Sequence, residues 1–318
     1  MVRPGGRARV CVAALLVLLL LVGTAACRFP ARRVAGPDAR GEGGQPTQWG
    51  RGLAAVYFLD VGQGDSILIR FPSGFAMLID GGSREAGTGV VEALRGLGVE
   101  RLDALVVTHG HEDHVGGLPA VIRTFPVGRA YLYGGEHTTD AFESLLRALL
   151  RARVAVSRPG SGEAIRTEGE GETDGKDGHS PAARAVVVGP VKSYADQNDS
   201  SLVVRLVVGE VAFLFTGDAG TQAEEDLLAA RAEVGADVLK VGHHGSAGST
   251  GTAFLRAVAP RWAVISVGAG NPFGHPAPSV LKRLSRAGVT VYRTDQNGMV
   301  TFLTDGVRVW IYTERGGT

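Results

Sequence analysis

The sequence predicts an α/β protein with mixed sheets covered by helices, rather than one doubly wound parallel sheet. Three observations carry this. Short apolar runs of strand type come in turn-linked pairs, single helices of helical periodicity lie between them, and Gly or Asp marks many of the switches. In order, residues 56–59, 66–71 and 76–79 are β-type runs broken by Gly62, Gly64 and Ser73-Gly74. Val90, Val91, Leu94 and Leu97 recur at helical spacing, and 104–107 is a compact run of buried-strand type. Leu118, Val121, Ile122 and Phe125 mark another helix, as do Phe142, Leu145, Leu146 and Leu149. Residues 201–208 and 211–216 flank Gly209-Glu210, a two-residue hairpin signal. Thr221 and Glu224 have capping-box spacing ahead of a helix containing Leu227 and Leu228. Strands at 238–241, 263–267 and 289–292, a helix over 279–287 and a hairpin about Asp305-Gly306 complete the series. Residues 157–184 interrupt it. Rich in Gly, Glu and Ser and without hydrophobic period, they read as a disordered surface insertion.

At 318 residues and 44 % hydrophobic, the chain has material for a sizeable core. Its formal charge of +1 hides an asymmetry. The first 51 residues hold eight Arg and two acids, leaving 25 basic and 30 acidic side chains over 52–318. An acidic body speaks against a broad basic face for nucleic acid. The 2 cysteines are Cys11 and Cys27, so the body has no disulfide and no thiolate metal ligand. Any metal there is held by His and carboxylates. At the N-terminus, Arg3, Arg7 and Arg9 precede the apolar run 10–22, and small residues then lead to Cys27, the pattern of a secretory signal over 1–27. That run falls short of the ~20 residues that span a bilayer. Ala25-Ala26-Cys27 resembles a bacterial lipobox, in which the Cys is lipidated. The expected location is the outer face of a bacterial cell membrane, lipid-anchored or secreted. Residues 28–52 would be a flexible tether to a folded domain over 53–313.

Five of the eight histidines fall in two clusters, each just after an apolar run. The first is Thr108-His109-Gly110-His111-Glu112-Asp113-His114, and the second is His243-His244-Gly245-Ser246. Past a strand end, residues i and i+2 project to the same side, so His109 and His111 can share one ion. The chain then turns towards the helix near Leu118, which lets Asp113 and His114 swing to a second ion. Between the clusters, 213–216 ends in Gly217-Asp218, a carboxylate placed to bridge two ions. Ionisable groups packed at strand ends in an apolar setting are costly unless something compensates them. Imidazole and carboxylate ligands suit Zn²⁺, Mn²⁺ or Fe²⁺. Two such ions activate a water and clamp the attacked and leaving oxygens, which suits displacement at phosphorus and also attack on an ester or lactam carbonyl. The body offers no Gly-x-Ser-x-Gly elbow and no cysteine for covalent catalysis.

H-x-H-x-D-H with a downstream Gly-Asp and a later His is similar to the metallo-β-lactamase superfamily. Further stretches bring the likeness closer to the hydrolase domain of ComEC-type competence proteins. They are Phe58-Leu59-Asp60-Val61-Gly62-Gln63-Gly64-Asp65-Ser66, Leu78-Ile79-Asp80-Gly81-Gly82, Asn198-Asp199-Ser200-Ser201-Leu202-Val203, Leu239-Lys240-Val241-Gly242-His243-His244-Gly245-Ser246 and Gly274-His275-Pro276. The resemblance covers about 53–313. It implies an αββα sandwich with two divalent metal ions at the edge between the sheets, Zn²⁺ ahead of Mn²⁺ or Fe²⁺, and hydrolysis by metal-bound hydroxide. Carried over by position, His109 and His111 hold the first ion, Asp113 and His114 the second, and Asp218 bridges. One of His243 and His244 completes the second site; His244 is preferred as ligand with His243 facing substrate, although the pair can be assigned either way. Asp113, His243, Asn198 and His275 are the candidate catalytic or substrate-facing groups, and Asp80 either braces the first cluster or caps its own turn. Many superfamily members supply a third His to the first ion, and the segment Asp196-Gln197-Asn198-Asp199-Ser200-Ser201 has none, so the first ion has fewer protein ligands. Asn198 would contact metal or substrate, or only cap its loop. His137 and His179 read as plain surface, and Asp60, Gln63 and Asp65 as residues that shape a Gly-rich turn.

The expected function is that of an exported metal-dependent hydrolase, phosphodiesterase or nuclease-like. Its substrate would be a nucleic acid, a nucleotide or an envelope phosphoester, and its membrane partner would be met through the N-terminal lipid or anchor. The alternatives are a hydrolase of a lactone, lactam or ester, and a non-catalytic metal-binding surface module. No protein partner is legible.

Overall fold

A computed structural model describes residues 52–135, 139–168 and 181–316. The expected signal and lipobox, the tether up to residue 51, His137 and His179 lie outside the described residues.

Two sheets carry the fold. The first begins with β1 (Ala54–Phe58), β2 (Ile67–Arg70) and β3 (Ala76–Ile79), an antiparallel meander. It continues in parallel through β4 (Leu102–Val107), β5 (Val127–Leu132) and β6 (Ala155–Ser157). The helices α1 (Gly87–Gly96), α2 (Glu112–Val115), α3 (Leu118–Thr124) and α4 (Asp140–Arg151) lie in the crossovers that parallel strands require. The second sheet opens with antiparallel β7 (Ala164–Ile165), β8 (Ala183–Gly189), β9 (Val203–Val208) and β10 (Val211–Phe215). It then runs parallel through β11 (Val238–Lys240), β12 (Trp262–Ile265) and β13 (Thr290–Arg293), with crossovers α5 (Thr221–Ala229), α6 (Thr252–Val258) and α7 (Pro278–Arg286). After the short α8 (Thr294–Asn297), β14 (Val300–Thr304) and β15 (Val309–Thr313) return to the first sheet beside β1. The orders are β15-β14-β1-β2-β3-β4-β5-β6 and β13-β12-β11-β10-β9-β8-β7.

Strand alternation sorts the second sheet's side chains between two cores. Phe213, Phe215, Val238, Trp262 and Val264 join Phe58 and Phe302 of the first sheet in the core between the sheets. Leu214, Leu239, Ala263 and Ile265 pack instead with Leu227, Phe254, Leu255, Val280 and Leu284 of α5, α6 and α7. The inner core is aromatic: Phe58 lies 6.2 Å from Phe215 and 5.9 Å from Phe302, ring centroid to centroid. Each such ring contributes about 1.5–3 kcal/mol by burial. The architecture is thus a two-sheet sandwich flanked by helices, as the resemblance implied. Among the described residues no helix is long and apolar enough to cross a membrane.

Two expectations need correction. The span 157–184 is not a disordered insertion at its ends: Ser157 closes β6, and β7 pairs with β8, which starts at Ala183. The apolar signal of β8, Val186 and Val187, falls just past that span; residues 169–180 lie outside the described residues. The capping box at Thr221 is absent as well. Helix α5 starts one residue earlier at its N-cap Gly220, and Asp199 Oδ1 accepts from the Gly220 and Ala223 amides at 3.0 and 3.4 Å. Glu224 points elsewhere, its carboxylate accepting from the Thr250 and Gly251 amides ahead of α6.

Candidate metal centre

The loops that follow β3, β4, β10, β11 and β12 meet at one edge of the sandwich. From β4 the chain leaves through Thr108, His109, Gly110 and His111 into α2, which places Asp113 and His114 in a single helical turn. From β10 it leaves through Thr216 and Gly217 to Asp218. Gly217 is required there: its φ is +52°, and a Cβ would stand 2.9 Å from the Thr108 Cβ. From β11 it leaves through a tight turn in which His243 and His244 both have left-handed φ, 47° and 52°. Consecutive left-handed residues other than glycine are strained, and such strain gathers at functional sites. Here the turn sends His244 inward and leaves the His243 side chain 31 % exposed.

Asp113, His114, Asp218 and His244 bring four ligand atoms within 4.8 Å of one another. His114 Nε2 is 3.3 Å from Asp218 Oδ1, and His244 Nε2 is 3.5 Å from Asp218 Oδ2 and 3.2 Å from Asp113 Oδ2. Beside them His109 Nε2 and His111 Nδ1 converge at 3.0 Å, with His109 Nε2 3.9 Å from Asp218 Oδ2. Asp218 therefore stands between two groups of nitrogens. His243 Nε2 is 3.7 Å from Asp218 Oδ2 on the solvent side, and its ring meets that of His275 at 5.6 Å. Asn198 lies in the loop before β9, its Oδ1 buried without a hydrogen-bond partner, and no hydrogen bond ties its side chain to the cluster among the described residues. The same loop supports Asp218, whose amide donates to Ser201 Oγ at 3.1 Å.

The outer ring nitrogens are fixed. His114 Nδ1 is 2.8 Å from Asp80 Oδ2, and Asp80 also accepts from the Thr108 amide at 2.9 Å and hydroxyl at 2.6 Å. His244 Nδ1 is 2.9 Å from the Ser266 carbonyl. With Nδ1 carrying the proton on each ring, Nε2 is left to face the cluster.

Charges in the cluster are coupled. Burial disfavours protonated His114, yet Asp218, Asp113 and Asp80 outweigh it and hold the imidazole well above its ordinary range. Burial opposes charge on His244 too, and Asp218 and Asp113 raise it to about 9. Asp218 is pulled well below the usual carboxylate range against the opposing effect of its burial, by His244 and His114. Asp113 is lowered too, chiefly by His114 against burial. His109 moves the other way, depressed by burial and by His114 beside it. Burial depresses His243 and His275 as well.

These residues fit divalent cations. Imidazoles and carboxylates, without thiolates, are the donors Zn²⁺, Mn²⁺ or Fe²⁺ accept. His114 Nε2, His244 Nε2 and Asp218 Oδ1 are buried, make no well-aligned hydrogen bond and are held only by ion pairs among themselves and with Asp113, so a cation can take the place of the protons they share. The cluster is able to bind a metal pair.

Two residues with a place here escaped the sequence. Asp65, read as a turn residue, is buried with Oδ2 3.0 Å from Lys240 Nζ and Oδ1 3.6 Å from His244 Nδ1. Lys240 lies two residues on from Val238, so it shares that residue's inner face and is carried there fully buried. A charged residue inside the otherwise apolar run 238–241 was the available signal. Asp60 and Gln63 do shape the turn, through Asp60 Oδ1 to the Gly62 amide and Gln63 Oε1 to the Gly268 amide.

The Metallo-beta-lactamase superfamily profile matches residues 59–269. The chain is 31 % identical over 265 residues to ComE operon protein 3 of Bacillus subtilis (strain 168), covering 78 % of this chain and 32 % of that protein. It is 34 % identical over 252 residues to Competence protein ComA of Neisseria gonorrhoeae, with shares of 78 % and 32 %. The chain therefore spans about a third of the length of the curated relatives it matches. Among solved structures it resembles CmlA, a diiron beta-hydroxylase from Streptomyces venezuelae, at 16 % identity and a TM-score of 0.48, over 78 % of this chain and 53 % of that one.

Proposed function

Since this chain belongs to the metallo-beta-lactamase superfamily, we propose that it is an exported hydrolase of phosphodiester bonds that works with two divalent ions. The observation that carries the reading is the convergence of one ligand atom each from Asp113, His114, Asp218 and His244, drawn from both sheets to within 4.8 Å of one another. His109, His111 and Asp218 would hold one ion, with Asp113, His114, His244 and Asp218 on the other. When bound, such a pair supplies a nucleophile from water at neutral pH and offsets charge on the attacked group.

The protein's own residues do the rest. Asp80 and the Ser266 carbonyl orient the rings of His114 and His244. Asp113 and Asp218, low in pKa, are acceptors throughout the neutral range. His243, depressed in pKa and partly exposed at the mouth, is neutral at pH 7 and placed to exchange a hydrogen bond or proton with a bound ester. His275, packed on His243, lines the same mouth. A phosphodiester is preferred over a lactam or ester because the relatives are competence proteins. Nucleic acid, a nucleotide or an envelope phosphoester all present that bond.

Turnover of bis(p-nitrophenyl) phosphate by the purified protein, with Zn²⁺ or Mn²⁺ added, tests the reading. We expect metal-dependent turnover that Asp218→Ala abolishes. A folded Asp218→Ala protein that keeps more than about a tenth of the rate, ~1.4 kcal/mol in barrier, would refute it. Zn²⁺ is the expected ion. Export and anchoring through Cys27 belong to the same proposal, supported by the Arg-flanked apolar run that ends at Ala25-Ala26-Cys27. Fatty-acid labelling should be lost in Cys27→Ser, and equal labelling of both proteins rejects the anchor.

A further inference from the structure

We propose that the buried Asp65–Lys240 ion pair is a positioning element of the metal centre, tying the strand that leads to His244 to the loop that carries Asp113. The proposal rests on reading the cluster as a metal centre, and it concerns two residues outside the ligand set proposed above.

The pair spans the two sheets. Asp65 stands just ahead of β2, and Lys240 ends β11. Their side chains are 2 % and 0 % exposed, with Oδ2 and Nζ 3.0 Å apart. Lys240 Nζ also donates to the Val241 carbonyl at 2.7 Å, so the ammonium grips the backbone just ahead of Gly242, His243 and His244. At the other end, the Asp65 amide donates to the Asp113 carbonyl at 3.2 Å, and the Asp65 carbonyl accepts from the Gly82 amide at 2.8 Å. One residue thus touches the backbone of the Asp113 turn, the loop after Asp80 and the strand before His244. The neighbouring Gly64 shows how close this approach is. Its φ is +133°, and a Cβ there would stand 2.2 Å from the Asp113 carbonyl oxygen. The remaining carboxylate oxygen, Asp65 Oδ1, is buried without a hydrogen bond and lies 3.6 Å from His244 Nδ1.

A stable fold does not need such a pair. Burying a lysine and an aspartate costs desolvation that their attraction roughly offsets, and apolar residues of similar volume often stabilise as well or better. Apolar contact lacks direction, however. Two hydrogen-bonded ends on opposite sheets set where Asp113 Oδ2 and His244 Nε2 stand, 3.2 Å apart here. Ligands of one ion must be held to within about 0.5 Å by their surroundings.

The test uses the purified 318-residue chain with Zn²⁺ as probe metal. The double variant D65N/K240M removes both charges and leaves neither buried alone, whereas D65N leaves the Lys240 charge uncompensated and reports what an unpaired charge does there. Zn²⁺ affinity is read by competition with a chelator, and thermal unfolding is followed on the metal-stripped proteins. We expect the stripped double variant to melt within a few degrees of wild type. Its tighter Zn²⁺ site should weaken roughly 10- to 100-fold. Zn²⁺ affinities equal to wild type overturn the proposal. So does unfolding of both stripped variants, because the pair then holds the fold rather than the centre. A wild-type protein that takes up no Zn²⁺ removes the metal-centre reading itself, and is distinguishable from both.

Discussion

His243 and His244 are adjacent in sequence and opposite in circumstance. The left-handed turn aims one at solvent and His275, and buries the other against Asp113, Asp218 and the Ser266 carbonyl. Their substitutions should therefore separate. His244→Ala is expected to lose one bound ion by elemental analysis. His243→Ala should retain both ions while turnover falls on the order of 10²-fold. Loss of an ion from His243→Ala and not from His244→Ala would reverse the assignment. Protons compete with metal for the same nitrogen. With His244 held up at about 9 in the metal-free protein, ion affinity should climb as pH rises towards 9, and a flat profile from pH 6 to 9 would contradict this.

At the scale of elements, the first cluster was legible because its spacing is local. His109 and His111 follow the end of one strand, Asp113 and His114 share one helical turn, and no distant partner is needed to bring them together. The hairpins at Gly209-Glu210 and Asp305-Gly306 were legible for the same reason, and both form. What was hidden depends on pairing across the molecule. Lys240 is fully buried because the inner face of β11 meets the first sheet, and Asp65 is more than anything a neighbour of residues 48 and 175 positions away. Glu224 is a further case, read as a cap for its own helix when it holds the start of α6. Burial raises its pKa to about 7, against the lowering effect of the Thr250 and Gly251 amides and Arg283. Between its ordinary value of 4.5 and about 7, the folded state keeps a proton that the unfolded state has lost, so this group's stabilising contribution falls as pH rises through that window. Glu224→Ala should destabilise by about 1–3 kcal/mol, since two amides lose their acceptor. In Glu224→Gln the fall with pH should vanish, so wild type and variant converge in denaturant midpoint from pH 4.5 to 7. Parallel midpoints across that range would show that Glu224 does not titrate there.

For the whole molecule, the candidate ligands come from both halves of the sandwich: His109, His111, Asp113 and His114 after β4, Asp218 after β10 and His244 after β11. An ion bound there would join the sheets at their shared edge as well as serving chemistry. An ion at a thousand times its dissociation constant stabilises the folded state by about 4 kcal/mol. For a domain of this size that corresponds to a fall in melting temperature on the order of 10 °C when a chelator removes it. Amide exchange should quicken first around 108–115, 216–219 and 241–246. A chelated protein that melts with the loaded one would mean that the sheets hold together without help from the centre.

The distance along the chain between those ligands also sets a timetable. His114 leaves the ribosome about a hundred residues ahead of Asp218, which at roughly 5–20 residues per second is a wait on the order of ten seconds. During that wait three imidazoles and a carboxylate sit on a strand end with no second sheet to complete them. An ion captured then would be chosen by affinity for loose nitrogen donors, an order in which copper outranks zinc and both outrank manganese. Only after β10 and β11 have docked can geometry take part in the choice. If these residues hold metal, geometric selection begins only where the last third of the chain folds, among the ions that compartment holds.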